Sequence, residues 1–250
     1  MAPTIHLVRH AQGFHNLSHE NEQLPDPDLT PLGEEQCKKL QQHFSEHEKI
    51  THLVASPMRR TLYTCLLSFE PAAKSGKKVI ALPDAQEVSR QPCDIGSEPA
   101  KIKAEFGDKV DFSLVADGWN DKSPESKYAP DAEKLDQRAR DVRLWLQDLA
   151  KKAGDDAHIV LVTHGGILHF ITQEWDDIMP GRGTGWENTQ CRSYEFRDAT
   201  LKDPDAALRE LQSSWRQRRG DAIPLTDTEQ RQARAAFSHN IEAGLQNAKN

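Results

Sequence analysis

The chain has 250 residues, 36% of them hydrophobic, and a formal net charge of −7. That length fits one α/β domain with elaborations and is enough to bury a sizeable core. The negative balance argues against a nucleic-acid partner or a polybasic membrane surface, so an anion site has to be built locally from a few cationic side chains. There is no apolar run long enough to span a bilayer. The first strand starts almost at once, without a basic and apolar leader, so the expected location is cytoplasmic with no membrane partner. The four cysteines, Cys37, Cys65, Cys93 and Cys191, are far apart with no Cys-x-x-Cys pair, and they suggest neither a zinc knuckle nor a disulfide framework.

In chain order, Ile5, Leu7 and Val8 form an apolar run too short for a helix. It predicts a buried strand that delivers Arg9 and His10 into the polar loop Ala11-Gln12-Gly13-Phe14-His15-Asn16. Open α/β sheets bind ligands at that end of a strand. Residues 17–27 read as a loop. Thr30-Pro31 then gives an N-cap with proline in the first turn, and Cys37, Leu40 and Phe44 recur at helical spacing to about residue 48. Residues 50–55 form a second strand ending at Ser56-Pro57, a second helix-start signal, with a helix expected toward Phe69. Residues 79–82 are a third strand candidate. Residues 83–130 lose periodicity and become rich in Pro, Gly, Ser and Asp, a covering loop of functional length.

From Asp131, the positions Leu135, Ala139, Val142, Leu146 and Leu149 mark one face of a long amphipathic helix that stops near Gly154. Residues 159–163 form the clearest strand, which runs into His164-Gly165-Gly166 and an apolar helix through Trp175. Residues 192–197 predict a last strand. A polar segment with helical stretches and a break at residues 220–224 follows. The division is therefore a catalytic domain over residues 1–202 and a C-terminal helical appendage over 203–250.

Three strand ends carry candidates: Arg9-His10, the turn from Ser56 to Arg60, and His164. Parallel strands would bring them to one edge. An imidazole is a competent nucleophile toward phosphorus, and a guanidinium can hold phosphate oxygens in a bidentate fork. The turn after the second strand offers helix N–H groups and Arg60 to an anion. A carboxylic acid near such a cationic site can protonate a leaving alkoxide, and Glu87 or Asp84 could supply it.

Arg9-His10 followed by Asn16 resembles the Arg-His-Gly signature of the histidine phosphatase (phosphoglycerate mutase-like) superfamily, branch 1, with Ala11 where that family usually has Gly. The segment from Ser56 to Thr64 is similar to its Ser-x-x-x-Arg-x-x-x-Thr pattern, which places Arg60, ahead of Arg59, in the phosphate-binding role. Val162-Thr163-His164-Gly165-Gly166 resembles the second histidine motif, and Leu82-Pro-Asp-Ala-Gln-Glu87 the acid motif. Leu29-Thr30 with Gly33 and Gln36 also resembles a family segment, read here as helix initiation. The likeness spans roughly residues 4–198.

The resemblance implies a three-layer α/β sandwich with a mostly parallel central sheet. It also implies a metal-independent phosphatase that hydrolyses phosphate monoesters of small metabolites through phosphohistidine. His10 would be the nucleophile and Glu87 the proton donor. Arg9, Asn16, Arg60, His164 and Gly165 would bind phosphate, with no cofactor and no metal, and the partner would be a small phosphorylated substrate. Alternatives are a phosphoglycerate-type phosphomutase, a specialised biosynthetic enzyme acting on a phosphorylated or diphosphorylated metabolite, and a noncatalytic phospholigand-binding protein.

Other signals are read blandly. His43-Phe-Ser-Glu-His47 matches a zinc pattern, but its helix is short and polar with no third ligand, so a solvated face is expected. His6 and His169 are expected to pack at the sheet, whereas His15 could touch substrate. At least two of Trp119, Trp175 and Trp186 are expected in the core or at its boundary. Cys93 has no Cys-x5-Arg cradle. The absence of Gly-x-Ser-x-Gly, Walker and Rossmann patterns disfavours serine hydrolase, nucleotide phosphotransfer and dinucleotide redox chemistry.

Overall fold

The computed structural model describes residues 2–154, 156–176, 178 and 184–247, with the side chains of the last helix described through Phe237. In chain order the elements are β1 (Thr4–Arg9), α1 (Pro31–His43), β2 (Ile50–Ala55), α2 (Arg59–Ser68), α3 (Glu70–Lys74), β3 (Val79–Ala81), α4 (Pro99–Phe106), β4 (Val110–Asp111), α5 (Ala132–Ala153), β5 (His158–Thr163), α6 (Gly165–Thr172), β6 (Cys191–Phe196), β7 (Leu208–Glu210), α7 (Gln212–Arg219) and α8 (Asp227–Asn247). Among the described residues the strands form one sheet in the order β4-β3-β2-β5-β1-β6-β7. The pairings from β4 through β1 are parallel, and β6 and β7 are antiparallel.

Strand periodicity makes this a three-layer α/β structure. Ile5 and Leu7 of β1, Val54 of β2, and Ile159 and Leu161 of β5 face the apolar stripe of α5 and the buried side of α6. Val8, Leu53, Ala55, Val160 and Val162 point the other way, against Leu62 and Cys65 of α2 and Ile102 and Phe106 of α4. The core lies on both faces of β1, β2 and β5, and β5 is buried along its whole length.

Several local expectations are met. Thr30 caps α1 by accepting from the Gly33 N–H at 3.0 Å, and Asp131 caps α5 by accepting from the N–H groups of Glu133 and Lys134. Gly154 ends α5 at a φ of 93°, where a side chain would be strained. Others change. Residues 83–130 are not a bare loop, because α4 and β4 fold within them, with Ile102, Phe106 and Val110 buried. Helix α2 starts at Arg59 with Met58 at the cap, two residues later than Ser56-Pro57 suggests, because the Ser56 side chain is engaged elsewhere. The N–H of its first residue is not open to an anion: the Asp26 carboxylate accepts from the Arg59 N–H at 3.1 Å. The sheet also continues past residue 202, since β7 pairs with β6 before α7 and α8 begin.

Of the expected tryptophans, Trp119, Trp175 and Trp186 are all buried. Helix α1 ends at His43, so His43 and His47 do not share a helix face. They bond instead to the carbonyls of Lys39 and Gln41. No described helix is long and apolar enough to cross a membrane.

Leu161 is fully buried at the centre of the sheet. Leu161→Ala is expected to lower unfolding free energy by about 2–5 kcal/mol, read as a lower denaturant midpoint with an unchanged slope.

Candidate active site

Parallel pairing carries the strand ends to one edge. The ladder runs one residue past the strands: the His10 N–H donates to the Thr163 carbonyl, the Ser56 N–H to Val162 and the Leu82 N–H to Ala55, at 2.8–3.0 Å. His10, Ser56, the residues after Leu82 and His164 are therefore neighbours although up to 154 positions separate them in sequence.

The His10 ring is buried, and its Nδ1 lies 2.7 Å from the Ala11 carbonyl. A carbonyl oxygen only accepts, so Nδ1 carries the proton and Nε2 keeps its lone pair. The rings of His164 and His15 lie 5.2 and 5.3 Å away, centroid to centroid. Burial, with Arg60, His15 and Arg9 nearby, holds His10 well below the usual imidazole range, so it is neutral at physiological pH. His164 is lowered in the same way, first by burial and then by Arg60, His10 and Lys122, and His15 is pushed down to about 2.

Arg60 is fully buried. Its Nη1 donates to the Cys93 carbonyl at 2.6 Å and its Nη2 to Asp94 Oδ1 at 2.8 Å, while Nε has no partner. Arg9 donates through Nη1 to the Trp186 carbonyl, and its Nε is likewise unpartnered. His164 Nε2 meets Ser56 Oγ at 2.9 Å, and its Nδ1 has no partner. Buried polar groups are as a rule hydrogen-bonded, so three such nitrogens near one imidazole make this a candidate anion site. Arg59 lies elsewhere, paired with Asp28 and Glu105 at 2.7 and 2.8 Å. Of the two arginines, it is Arg60 whose charge acts on His10.

Glu87 lies against the start of α6. Its Oε2 accepts from the Gly166 N–H at 3.0 Å, and its Oε1 accepts from the N–H groups of Ile167 and Val88 at 3.0 and 2.9 Å. A Cβ on Gly166 would sit 2.6 Å from Glu87 Oε1, so a residue without a side chain is needed there. Asp84, the competitor, is ion-paired with Lys127 at 2.7 Å. Asn16 is exposed and braces the loop: its Oδ1 accepts from the Gly13 N–H at 3.0 Å. Gly165 is the first residue of α6, and a Cβ there would come 2.6 Å from Thr184. The Ala11 methyl belongs to a small apolar cluster with Leu29 and Cys37 and so packs beneath the loop, while the Ala11 N–H donates to Thr64 Oγ1 at 3.0 Å.

Sequence reasoning missed several supports. Lys122 is buried in the covering segment and donates to the carbonyls of Glu87 and Ser89 at 2.6 and 2.8 Å. Burial pushes its ammonium down to about 7. Arg138 of α5 donates to the Gln86 carbonyl at 2.9 Å, so two cations hold the backbone that presents Glu87. Asp94 anchors Arg60, and Ser56 orients His164. Thr30, Gly33 and Gln36 also do more than start α1. The Gln12 N–H donates to Gln36 Oε1 at 2.8 Å, Thr30 bonds both ends of Gln12, and a Cβ on Gly33 would meet the Gln12 carbonyl at 2.2 Å. Cys93 contributes its carbonyl alone, since burial raises its thiol to about 12. His169 is structural, bonded to the Glu174 carbonyl and Thr184 Oγ1.

The fold and site thus define an α/β protein with a neutral, oriented imidazole beside buried, unfilled cationic donors. The chain belongs to the histidine phosphatase superfamily (branch 1), whose family model matches residues 5–202. It is 27% identical over 245 residues to a phosphoglycerate mutase-like protein of Arabidopsis thaliana, covering 82% of this chain and 88% of the relative. The phosphoglycerate mutase of Bacillus anthracis superposes with a TM-score of 0.52 at 16% identity, over 84% of this chain and 92% of that one. The ecdysone phosphate phosphatase of Bombix mori, solved with tungstate, gives 0.53 at 14% identity, over 77% and 89%.

Four buried histidines, His6, His10, His164 and His169, and the half-buried His15 have lowered pKa values, against an ordinary 6.5. The unfolded chain therefore binds more protons below pH 6.5, and stability falls with pH from there toward about 4, by up to about 1.4 kcal/mol per group per unit. Buried Glu174, raised to about 7, and buried Asp26, raised by the same cause, oppose this. A denaturant midpoint that falls steadily between pH 6.5 and 4.5 is the expected result.

Proposed function

We propose that the protein is a metal-independent phosphatase that hydrolyses phosphate monoesters of small metabolites through a phosphohistidine on His10. The observation that carries this reading is the His10 tautomer, fixed by the Ala11 carbonyl, beside the unpartnered Nε atoms of Arg9 and Arg60 and Nδ1 of His164.

In the first half-reaction, the His10 Nε2 lone pair attacks phosphorus in line and the ester P–O bond breaks. Glu87 gives its proton to the departing oxygen. Arg9, Arg60 and His164 bind the equatorial oxygens, where negative charge is concentrated in the transition state. His164 donates from Nδ1 while the Ser56 hydroxyl donates to its Nε2. In the second half, Glu87 as carboxylate takes a proton from water, the oxygen attacks phosphorus, and the P–N bond breaks. Inorganic phosphate leaves and His10 regains its lone pair. Asn16 and Gly165 shape the loop and helix start that approach the phosphate.

His10→Ala is expected to reduce phosphate release from an aryl phosphate to background and to abolish acid-labile labelling by substrate phosphate. Near wild-type turnover in that variant would overturn the scheme. Glu87→Gln is expected to lower kcat about 10²- to 10⁴-fold with an alkyl phosphate, and less with p-nitrophenyl phosphate, whose leaving group needs no proton. Transfer of the group to a second hydroxyl of phosphoglycerate, in place of phosphate release, would identify a mutase.

Lys122, held near 7, adds positive charge to the site below that pH and loses it above. Affinity for tungstate, whose own charge is constant over this range, is expected to weaken as pH rises from 6 to 8. Lys122→Met should flatten that dependence, as read by calorimetry.

A further inference from the structure

At the opposite edge of the sheet from His10, His6 of β1 and His158 of β5 approach each other beneath the α1–β2 connection. His6 Nε2 and His158 Nδ1 are 3.2 Å apart, and Glu46 Oε2 lies 3.9 Å from His6 Nε2. All three ligand atoms fall within 4.8 Å of one another. We propose that His6, Glu46 and His158 form a binding site for a divalent transition-metal ion of the zinc class, separate from the phosphoryl site.

The spacing fits the chemistry. Two imidazole nitrogens on a tetrahedral ion at Zn–N of about 2.0–2.1 Å are about 3.3 Å apart, close to the observed separation. The outer partners are those that orient metal-bound histidines. His6 Nδ1 lies 2.9 Å from Ser193 Oγ, and His158 Nε2 faces Asp156 Oδ1 at 3.9 Å. With protons on those outer nitrogens, the inner lone pairs converge, so metal binding requires a change of tautomer and no loss of a positive charge.

The carboxylate is suitably divided. Glu46 Oε1 is paired with Lys49 at 2.8 Å, which leaves Oε2 turned toward the histidines, and the side chain is 34% exposed, so an ion has a route from solvent. Imidazole and carboxylate together favour zinc and its neighbours over magnesium or calcium. Three protein ligands leave the fourth position to water. The ion would join β1, β5 and the segment before β2, a staple remote from His10, which stands four residues after His6, just past the end of β1, about 13 Å by strand rise.

The test is zinc binding to the full chain by calorimetry, with Co²⁺ absorption reporting tetrahedral geometry. One equivalent should bind, raise Tm and leave phosphate release unchanged. His158→Gln and His6→Gln should weaken it by more than the about 10- to 100-fold typical of losing an outer partner. Glu46→Gln, at an exposed side chain, guards against loss of folding and should weaken it too. The imidazoles of His10, His15 and His164 are the competing zinc ligands, so His10→Ala should leave the affinity unchanged. No binding, or binding lost in His10→Ala but kept in His158→Gln, would overturn the assignment.

Discussion

Buried hydrogen-bond donors left without acceptors organise this molecule. Arg60 is sealed from solvent, and its Nη atoms are held by Cys93 and Asp94, so the direction of its Nε–H is set by the protein rather than by water. Arg9 and His164 are tied in the same manner, each by one bond, with a second nitrogen left open. The burial that encloses these donors also keeps His10 neutral. An uncharged imidazole beside fixed positive charge is the arrangement in which a nucleophile and its electrophile's counter-charges coexist. A protonated ring would cancel the first, and free solvent would weaken the second.

The scaffold spends its cations on holding backbone as well as on the site. Arg143 donates to the carbonyls of Phe170 and Ile171 at the end of α6, while Arg138 and Lys122 clamp the segment that presents Glu87 at the start of the same helix. Helix α6 is thereby fixed at both ends, with a carboxylate at its positive pole. The first loop is held by close approach: Gly33 lets α1 touch Gln12, and Gly13 leaves room for the His15 ring, which a Cβ would meet at 2.8 Å. The Ala11 methyl is accommodated in the Leu29 and Cys37 cluster.

The covering segment shows how a stretch without periodicity can still be ordered. Its buried apolar residues join the core of α2 and the sheet, where Ile102, Phe106 and Trp119 pack with Leu62 and Val162, and its turns bond to one another, as Gln86 does to the Trp119 carbonyl. From that anchorage it supplies Asp94 and the Cys93 carbonyl to Arg60, and Lys122 to the Glu87 backbone. The Arg60 charge is therefore oriented by residues more than thirty positions away.

By itself, the sequence determined the elements whose signal is local. These are the apolar runs of β1, β2 and β5, the stripe of α5, the cap at Thr30, and the strand-end motifs that single out Arg9, His10, Arg60, Glu87 and His164. Such features depend on residues within a turn or a few strand positions of each other, where periodicity and capping chemistry act. Tertiary structure alone decided that Ser56 serves His164 instead of capping α2, that Asp26 caps that helix, and that Lys122, Asp94 and Arg138 surround the site. It also decided that β4 and β7 extend the sheet. Those outcomes rest on long-range pairing and burial, which turn a lysine or serine that reads as ordinary surface into a group whose partners lie far away in sequence.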